Sequence, residues 1–280
     1  MVGGMVGNNS CGTTSIVYGS TREHVLELKV LLSDGSEAVF KSMTPDEFDL
    51  KCKEESLEGE LYRHVREELS QEEIQENIRE NFPKSTIHRR NTGYALDYLL
   101  ESQVFSDKDV PFDFCKLLCG SEGTLAITTE IKIHLDPLPD PFDIVVAAHF
   151  ETIHDSMKAA QVAMKEKPTA VELMDKKILD CTKENVELDY KTIEEANAQG
   201  AAFIAALKNV DLGYAYPIIG PDRTSSAWEL RSAGLGLLAN IPGDKKAVAC
   251  IEDTAVDIDD LANYIDDFAD QTVGLTTTNL

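Results

Sequence analysis

The apolar positions of this chain change rhythm several times, and each change marks an element. A β-branched apolar run from Glu27 through Leu32 stops at Asp34-Gly35, and Glu37-Ala-Val-Phe40 follows, so the pattern predicts strand, Asp-Gly turn, strand. From Thr44 to about Phe82 the period lengthens: Leu61, Val65, Leu69, Ile74 and Ile78 recur near 3.6 residues, with dense Glu and Arg between them. Thr44 as N-cap, Pro45 at the first helical position and Asp46-Glu47 in the first turn open this stretch. It reads as helical throughout, with its charges on a solvated face. Pro83 closes it, and a further short helix is expected after the turn at Gly93. Phe114 to Leu135 reads as a glycine turn followed by an alternating strand. Asp136-Pro-Leu-Pro-Asp-Pro141 then argues for an extended linker and a domain boundary.

Beyond the linker the pattern predicts a strand at Ile144–Phe150, a helix at Thr152–Lys165 and a short strand at Ala170–Met174. Lys176 to Lys208 reads as mostly helix broken at Gly200, and Pro217–Gly220 as a turn. A helix at Ala227–Leu238, a strand at Lys246–Glu252 and an amphipathic helix at Ile258–Phe268 complete the series. Strands mixed with helices in this way imply an α+β class, with helices on one face of an antiparallel sheet. The first dozen residues, through Gly12, are too rich in glycine and asparagine for a regular element to be expected.

With 280 residues, 42% of them hydrophobic, the chain can bury the core of one large or two modest domains. Fifty acidic residues against 26 basic ones give a formal charge of −24. That charge opposes the counterion release that drives nucleic-acid binding, and it disfavours an anionic membrane surface. There is no apolar run long enough to span a bilayer and no basic-then-apolar start, so a cytoplasmic location is expected. The cysteines are scattered: Cys115 and Cys119 are close, but no second pair completes zinc-ribbon or ferredoxin spacing. They read as small buried hydrophobes. The histidines show no helical ligand pairing, and no metal site is expected within the chain.

Two glycine-rich loops stand out. Gly3-Gly4-Met-Val-Gly7-Asn8-Asn9-Ser10-Cys11-Gly12 and Gly120-Ser121-Glu122-Gly123-Thr124-Leu125 both offer backbone amides with little side-chain obstruction. Such loops can wrap a pyrophosphate as an anion-binding nest, and either one alone is equally an ordinary turn.

Together with their surroundings the loops resemble the vanillyl-alcohol-oxidase type of FAD-linked oxidase, also described as the PCMH-type FAD-binding superfamily. Gly-Gly-x-x-x-x-Asn-x-x-Gly is followed by Tyr18-Gly19 and a strand ending at Asp34-Gly35. Arg90-Asn-Thr-Gly-Tyr94, Gly120 to Ile127, Val171-Glu-Leu-Met-Asp175 and Trp228-Glu-Leu-Arg231 then occur in the family's order. The branch resembled is that of D-lactate dehydrogenase, D-2-hydroxyglutarate dehydrogenase and glycolate oxidase. The acidic helical insertion and Gly234-Leu-Gly-Leu-Leu are similar to long bacterial members with an iron–sulfur domain after the flavoprotein part.

The resemblance implies a partial FAD-binding domain (its second subdomain) over residues 1–139, with a helical insertion at about 44–82, and a partial α+β substrate domain over 140–280. It implies FAD contacts at Gly3, Gly4, Asn8, Asn9, Ser10, Cys11, Gly12, Tyr18, Gly19, Gly120, Ser121, Glu122, Gly123, Thr124, Leu125 and Ile127. In related dehydrogenases an arginine after Trp-x-Leu pairs with the substrate carboxylate, which points to Arg231; on its own, Arg231 is equally a solvated helix residue. Glu122 reads either as a turn carboxylate or as a backbone-positioning part of its loop.

The family's Arg-Gly-Gly-Gly-Thr-like loop, its metal-binding histidine segment and its iron–sulfur domain have no counterpart in the sequence. The resemblance therefore implies that any divalent metal, any clusters and the histidine base lie in segments outside this chain, and the chain alone is expected to bind FAD weakly or not at all. The activity implied for the parent protein is oxidation of a D-2-hydroxy acid to the 2-oxo acid with hydride passing to FAD. A flavin-free scaffold that keeps the fold is the alternative.

Overall fold

The computed structural model describes residues 1–90, 93–138, 144–181, 198–239, 243 and 254–276. The chain divides into two compact units, Met1–Pro137 and Leu138–Leu280.

The first unit opens with three short helices, α1 (Val2–Gly7), α2 (Ser15–Tyr18) and α3 (Thr21–His24), which lead into strands β1 (Val25–Leu31) and β2 (Glu37–Lys41). The expected irregular start is thus helical over Val2–Gly7. Helical hydrogen bonds are local, and Val6, only 2% exposed, anchors the turn in the core. The β1–β2 hairpin forms as the alternation predicts, pairing Leu31 with Glu37 through Glu27 with Lys41. Gly35 takes φ +83°, and Asp34 Oδ1 accepts from the Ser36 amide and hydroxyl at 2.9 and 2.6 Å, which holds the turn.

The single helical stretch expected over 44–82 is three helices: α4 (Pro45–Lys51), α5 (Leu57–Leu69) and α6 (Glu72–Asn81). Side chains make the breaks. Thr44 caps α4 and Ser56 Oγ accepts from Gly59 N at 3.1 Å to start α5. Arg63 donates to the carbonyls of Cys52 and Glu54 at 2.8 and 2.7 Å, so the chain can leave α4 without orphaned acceptors. Gly59 allows this approach, because a Cβ there would stand 2.2 Å from Glu54 O.

Helices α7 (Leu96–Leu100) and α8 (Cys115–Leu118) precede β3 (Ile127–Ile133), which pairs antiparallel with β1 and completes a sheet of order β2-β1-β3. The buried sheet face, with Leu28, Val30, Ala38 and Phe40, lies on an aromatic cluster of Phe48, Tyr62, Phe112 and Phe114. Phe48 meets Phe112 edge-on at 4.6 Å between ring centroids, and Tyr62 meets Phe114 at 4.8 Å.

In the second unit the described strands are β4 (Val145–Val146) and β5 (Ile218–Ile219), which pair antiparallel. The strand expected over 144–150 is reduced to β4 plus a single bridge from His149 to Ala215. The turn expected at 217–220 contains β5, because the two apolar residues Ile218 and Ile219 find a partner strand far away in sequence. Ala170–Met174 forms no strand: Val171 and Leu173 are exposed and no ladder partner adjoins them among the described residues.

Helix α9 (Ile153–Lys165) begins at its Thr152 cap as read. Helices α10 (Lys176–Cys181) and α11 (Ala198–Asn209) lie in the predicted helical stretch, whose middle is outside the described residues. Gly200 is buried inside α11 rather than breaking it. Helix α12 (Thr224–Ala239) and helix α13 (Leu261–Thr276) follow, with α13 packed on α9, and the strand expected at 246–252 lies outside the described residues.

Candidate functional site

The two glycine loops, far apart in sequence, are joined backbone to backbone. Gly120 N donates to Val6 O at 3.0 Å, and Glu122 N donates to Gly7 O at 2.8 Å. A Cβ on Gly7 would lie 3.8 Å from Glu122 Cα, and one on Gly120 would lie 3.4 Å from Asn9 Cβ. Gly120, Glu122 and Gly123 all have positive φ, at +90°, +54° and +75°. Glycine removes the cost of that conformation at two of the three, while Glu122 bears it. Glu122 is exposed, and what the structure uses is its backbone.

Helix α3 holds the first loop from beneath. Asn9, 1% exposed with φ +51°, accepts from Arg22 N at 2.8 Å through Oδ1. Ser20 Oγ lies 3.0 Å from the same oxygen and 2.6 Å from Glu23 Oε2, with one proton to share between them. Thr21 donates to Ser10 O from both its amide and its hydroxyl, at 3.0 and 2.8 Å. Gly19, at φ +70°, ends α2, and His24 Nε2 lies 2.6 Å from Tyr18 O. A carbonyl only accepts, so Nε2 of that ring donates. Tyr18 and Gly19 thus connect the first loop to α3 rather than to the second loop.

The second loop is braced by its own side chains. Ser121 Oγ donates to Leu118 O at 2.8 Å, and Thr124 Oγ1 donates to Ser121 O at 2.5 Å. Thr124 has then spent its proton, so Tyr94 OH is the donor in its 2.7 Å contact with Thr124 Oγ1. Leu125 is exposed beside the loop, while Ile127 is the first residue of β3, paired with Leu31 in the sheet. Gly3, Gly4, Asn8 and Gly12 are exposed, and Ser10 and Cys11 are half-buried.

Three cations gather at this place in a strongly acidic chain. Arg22 sends its guanidinium to the carbonyls of Lys116, Arg90 and Cys119. Arg90 pairs with Asp97 and lies 4.6 Å over the Tyr98 ring, and Lys116 Nζ donates to Arg22 O at 2.8 Å. Arg22 and Lys116 are not among the site residues the sequence points to, and Tyr94 enters there only as the end of the Arg90–Tyr94 motif. The one available signal was the capping box Ser20-x-x-Glu23 around Arg22, which announces a helix start but not a buried guanidinium.

In the second unit, Arg231 lies on α12 and donates from Nε to Glu172 Oε2 at 2.9 Å. Two of the sequence motifs, Val171 to Asp175 and Trp228 to Arg231, therefore meet through this pair. Both side chains keep solvent access, at 43% for Arg231 and 25% for Glu172.

Comparison with known proteins gives two family matches. Residues 141–274 match the FAD linked oxidases, C-terminal domain, and residues 1–40 match a FAD binding domain. Among relatives, a D-2-hydroxyglutarate dehydrogenase of Pseudomonas putida is 30% identical over 95% of this chain and 28% of its own length. The enzyme of the same name from Escherichia coli is 27% identical over 95% of this chain and 28% of its own length. A D-lactate dehydrogenase of Archaeoglobus fulgidus is 27% identical over 64% of this chain and 27% of its own length. The chain thus spans little more than a quarter of the length of the curated relatives it matches.

Proposed function

We propose, from the premise that this chain belongs to the FAD-linked oxidases, that its first unit holds the pyrophosphate of FAD and that the protein containing it oxidises a D-2-hydroxy acid to the 2-oxo acid. The observation that carries this reading is the pairing of the two glycine loops through Gly120 N to Val6 O and Glu122 N to Gly7 O. Separate turns have no reason to adjoin; one cradle does.

The glycines fit the group. A Cβ at Gly3, Gly4 or Gly12 would meet nothing within 4 Å, and none of the three has positive φ. Neither packing nor backbone conformation demands glycine there, whereas close approach of a phosphate does. The Gly123 amide donates to no backbone carbonyl among the described residues and is one of the donors available to an anion. Arg22 and Lys116, which bond to backbone carbonyls, offset locally the repulsion that a chain of net charge −24 would exert on phosphates.

The flavin, when bound, supplies the redox chemistry by taking up hydride from the hydroxyl-bearing carbon. The chain's own part in the second unit is to orient the acid. Arg231 is held by Glu172 through Nε and keeps its two terminal nitrogens for a carboxylate, which suits the planar fork. The names of the relatives share a D-2-hydroxy acid, and we assign the same class here.

The chain alone is expected to bind FAD weakly or not at all, so the test is titration of the flavin-free parent protein with FAD followed by flavin fluorescence, with ADP as competitor. Saturable binding that ADP reverses, and that Gly3→Val with Gly123→Val abolishes, is expected. Failure of both ligands to bind, or binding indifferent to the two valines, overturns the cradle. For the activity, anaerobic mixing of the flavin-loaded parent protein with D-2-hydroxyglutarate or D-lactate should bleach the flavin, and the L-enantiomers should not.

A further inference from the structure

We infer that Arg22 is the positioning residue of the cradle, locking the peptide between Cys119 and Gly120; the inference rests on the reading of the two loops as one anion site. Arg22 is 2% exposed. Its Nε donates to Lys116 O at 2.9 Å, Nη1 to Arg90 O at 3.2 Å and Nη2 to Cys119 O at 2.6 Å, while its own amide donates to Asn9 Oδ1 at 2.8 Å. One residue therefore ties the first loop, the Arg90 segment and the approach to the second loop.

The geometry at Cys119–Gly120 gives the contact its purpose. In a planar trans peptide the carbonyl and the N–H point in opposite directions. Here the carbonyl is held by Arg22 Nη2 and the N–H by Val6 O, so the unit is gripped on both sides and cannot rotate without losing both bonds. That rotation would displace the backbone of Ser121-Glu122-Gly123, in which the Glu122 amide donates to Gly7 O of the first loop at 2.8 Å. Gly120 itself has φ +90°, and a Cβ there would stand 3.1 Å from Arg22 Nη2, so glycine is needed for the backbone and for the arginine's reach. A planar guanidinium serves three carbonyls in fixed directions, which an ammonium on a flexible stem cannot do equally well.

Hydrogen exchange on the 280-residue chain without ligand tests this, using Arg22→Gln and Arg22→Lys. In Arg22→Gln the amides of Gly120 and Glu122 should exchange about tenfold faster or more, tenfold corresponding to ~1.4 kcal/mol of local opening. The β1–β2 hairpin should keep its protection. Arg22→Lys should give an intermediate acceleration confined to the same amides, and it decides the matter if the glutamine variant does not fold. Unchanged exchange at Gly120 and Glu122 in both variants overturns the inference. Uniform loss of protection across Met1–Pro137 in the lysine variant also overturns it, because Arg22 would then be a general core residue. A flavin-free parent protein that binds neither ADP nor FAD would instead count against the cradle reading, which the exchange data leave separate.

Discussion

Arg231 and Glu172 form a partly exposed ion pair, Nε to Oε2 at 2.9 Å, between helix α12 and the irregular segment that precedes α10. A surface pair of this exposure contributes about 0–1 kcal/mol to stability, so its significance lies in orientation. If Arg231 holds the substrate carboxylate, Arg231→Ala in the parent protein leaves that charge unpaired at a cost of about 2–5 kcal/mol. kcat/KM should fall by roughly 30-fold to several thousand-fold. Arg231→Lys should recover part of the loss, since it keeps the charge but not the fork. Steady-state kinetics with flavin content measured in parallel checks this. Near-normal efficiency of the alanine variant on every D-2-hydroxy acid tried would remove Arg231 from the site.

Helix α1 carries two glycines, Gly3 and Gly4, where an added methyl group would meet no protein atom within 4 Å. Alanine at either position should stabilise the first unit by roughly 0.5–1 kcal/mol at most, because glycine is the poorer helix former. The same changes should weaken FAD and ADP binding. Urea unfolding and ligand titration therefore move in opposite directions. Unchanged affinity in the double variant would show that these glycines face no ligand.

Tyr62 is fully buried among Phe48, Phe112 and Phe114, and its hydroxyl has no hydrogen-bond partner among the described residues. Burial also pushes the phenol's pKa upward. Tyr62→Phe keeps the ring contacts and removes an unsatisfied buried group, so stability should be unchanged or rise by ~1–2 kcal/mol. A loss above ~1 kcal/mol on urea unfolding would mean that the hydroxyl is satisfied in solution.

Burial pushes the Cys119 thiol up to about 11 from an ordinary value of 9.0. As pH rises through that window the unfolded chain loses this proton while the folded chain keeps it. The folded state then binds more protons, and stability falls with rising pH, by about 3 kcal/mol for this one group. Cys115 and Tyr62 are shifted upward by burial too and act in the same sense. The urea midpoint should hold below about pH 8 and decline toward about pH 11, and Cys119→Ala should flatten part of the decline. A midpoint that stays level across the window would contradict the burial of these groups.

Local signals carried the sequence reading where it succeeded. Asp34-Gly35 between two alternating runs specifies the β1–β2 hairpin, and Thr44-Pro45 and Thr152 start helices because a cap acts on amides within its own turn. The same signals misled where partners lie far away in the chain. Ile218-Ile219 is a strand because Val145-Val146 adjoins it, and Ala170–Met174 is not one because no ladder partner adjoins it among the described residues. Gly200 remains in a helix because it is buried there.

For the candidate site the division is sharper. The sequence by itself determined that two glycine loops exist, that the chain is acidic and that an arginine follows Trp-x-Leu, since these are properties of composition and spacing. Only the tertiary structure decided that the loops adjoin, that Arg22 rather than a glycine locks them, and that Arg231 is held by Glu172. Hydrogen bonds such as Arg22 Nη2 to Cys119 O join residues far apart in the chain, and their geometry follows from packing in three dimensions that no one-dimensional period encodes.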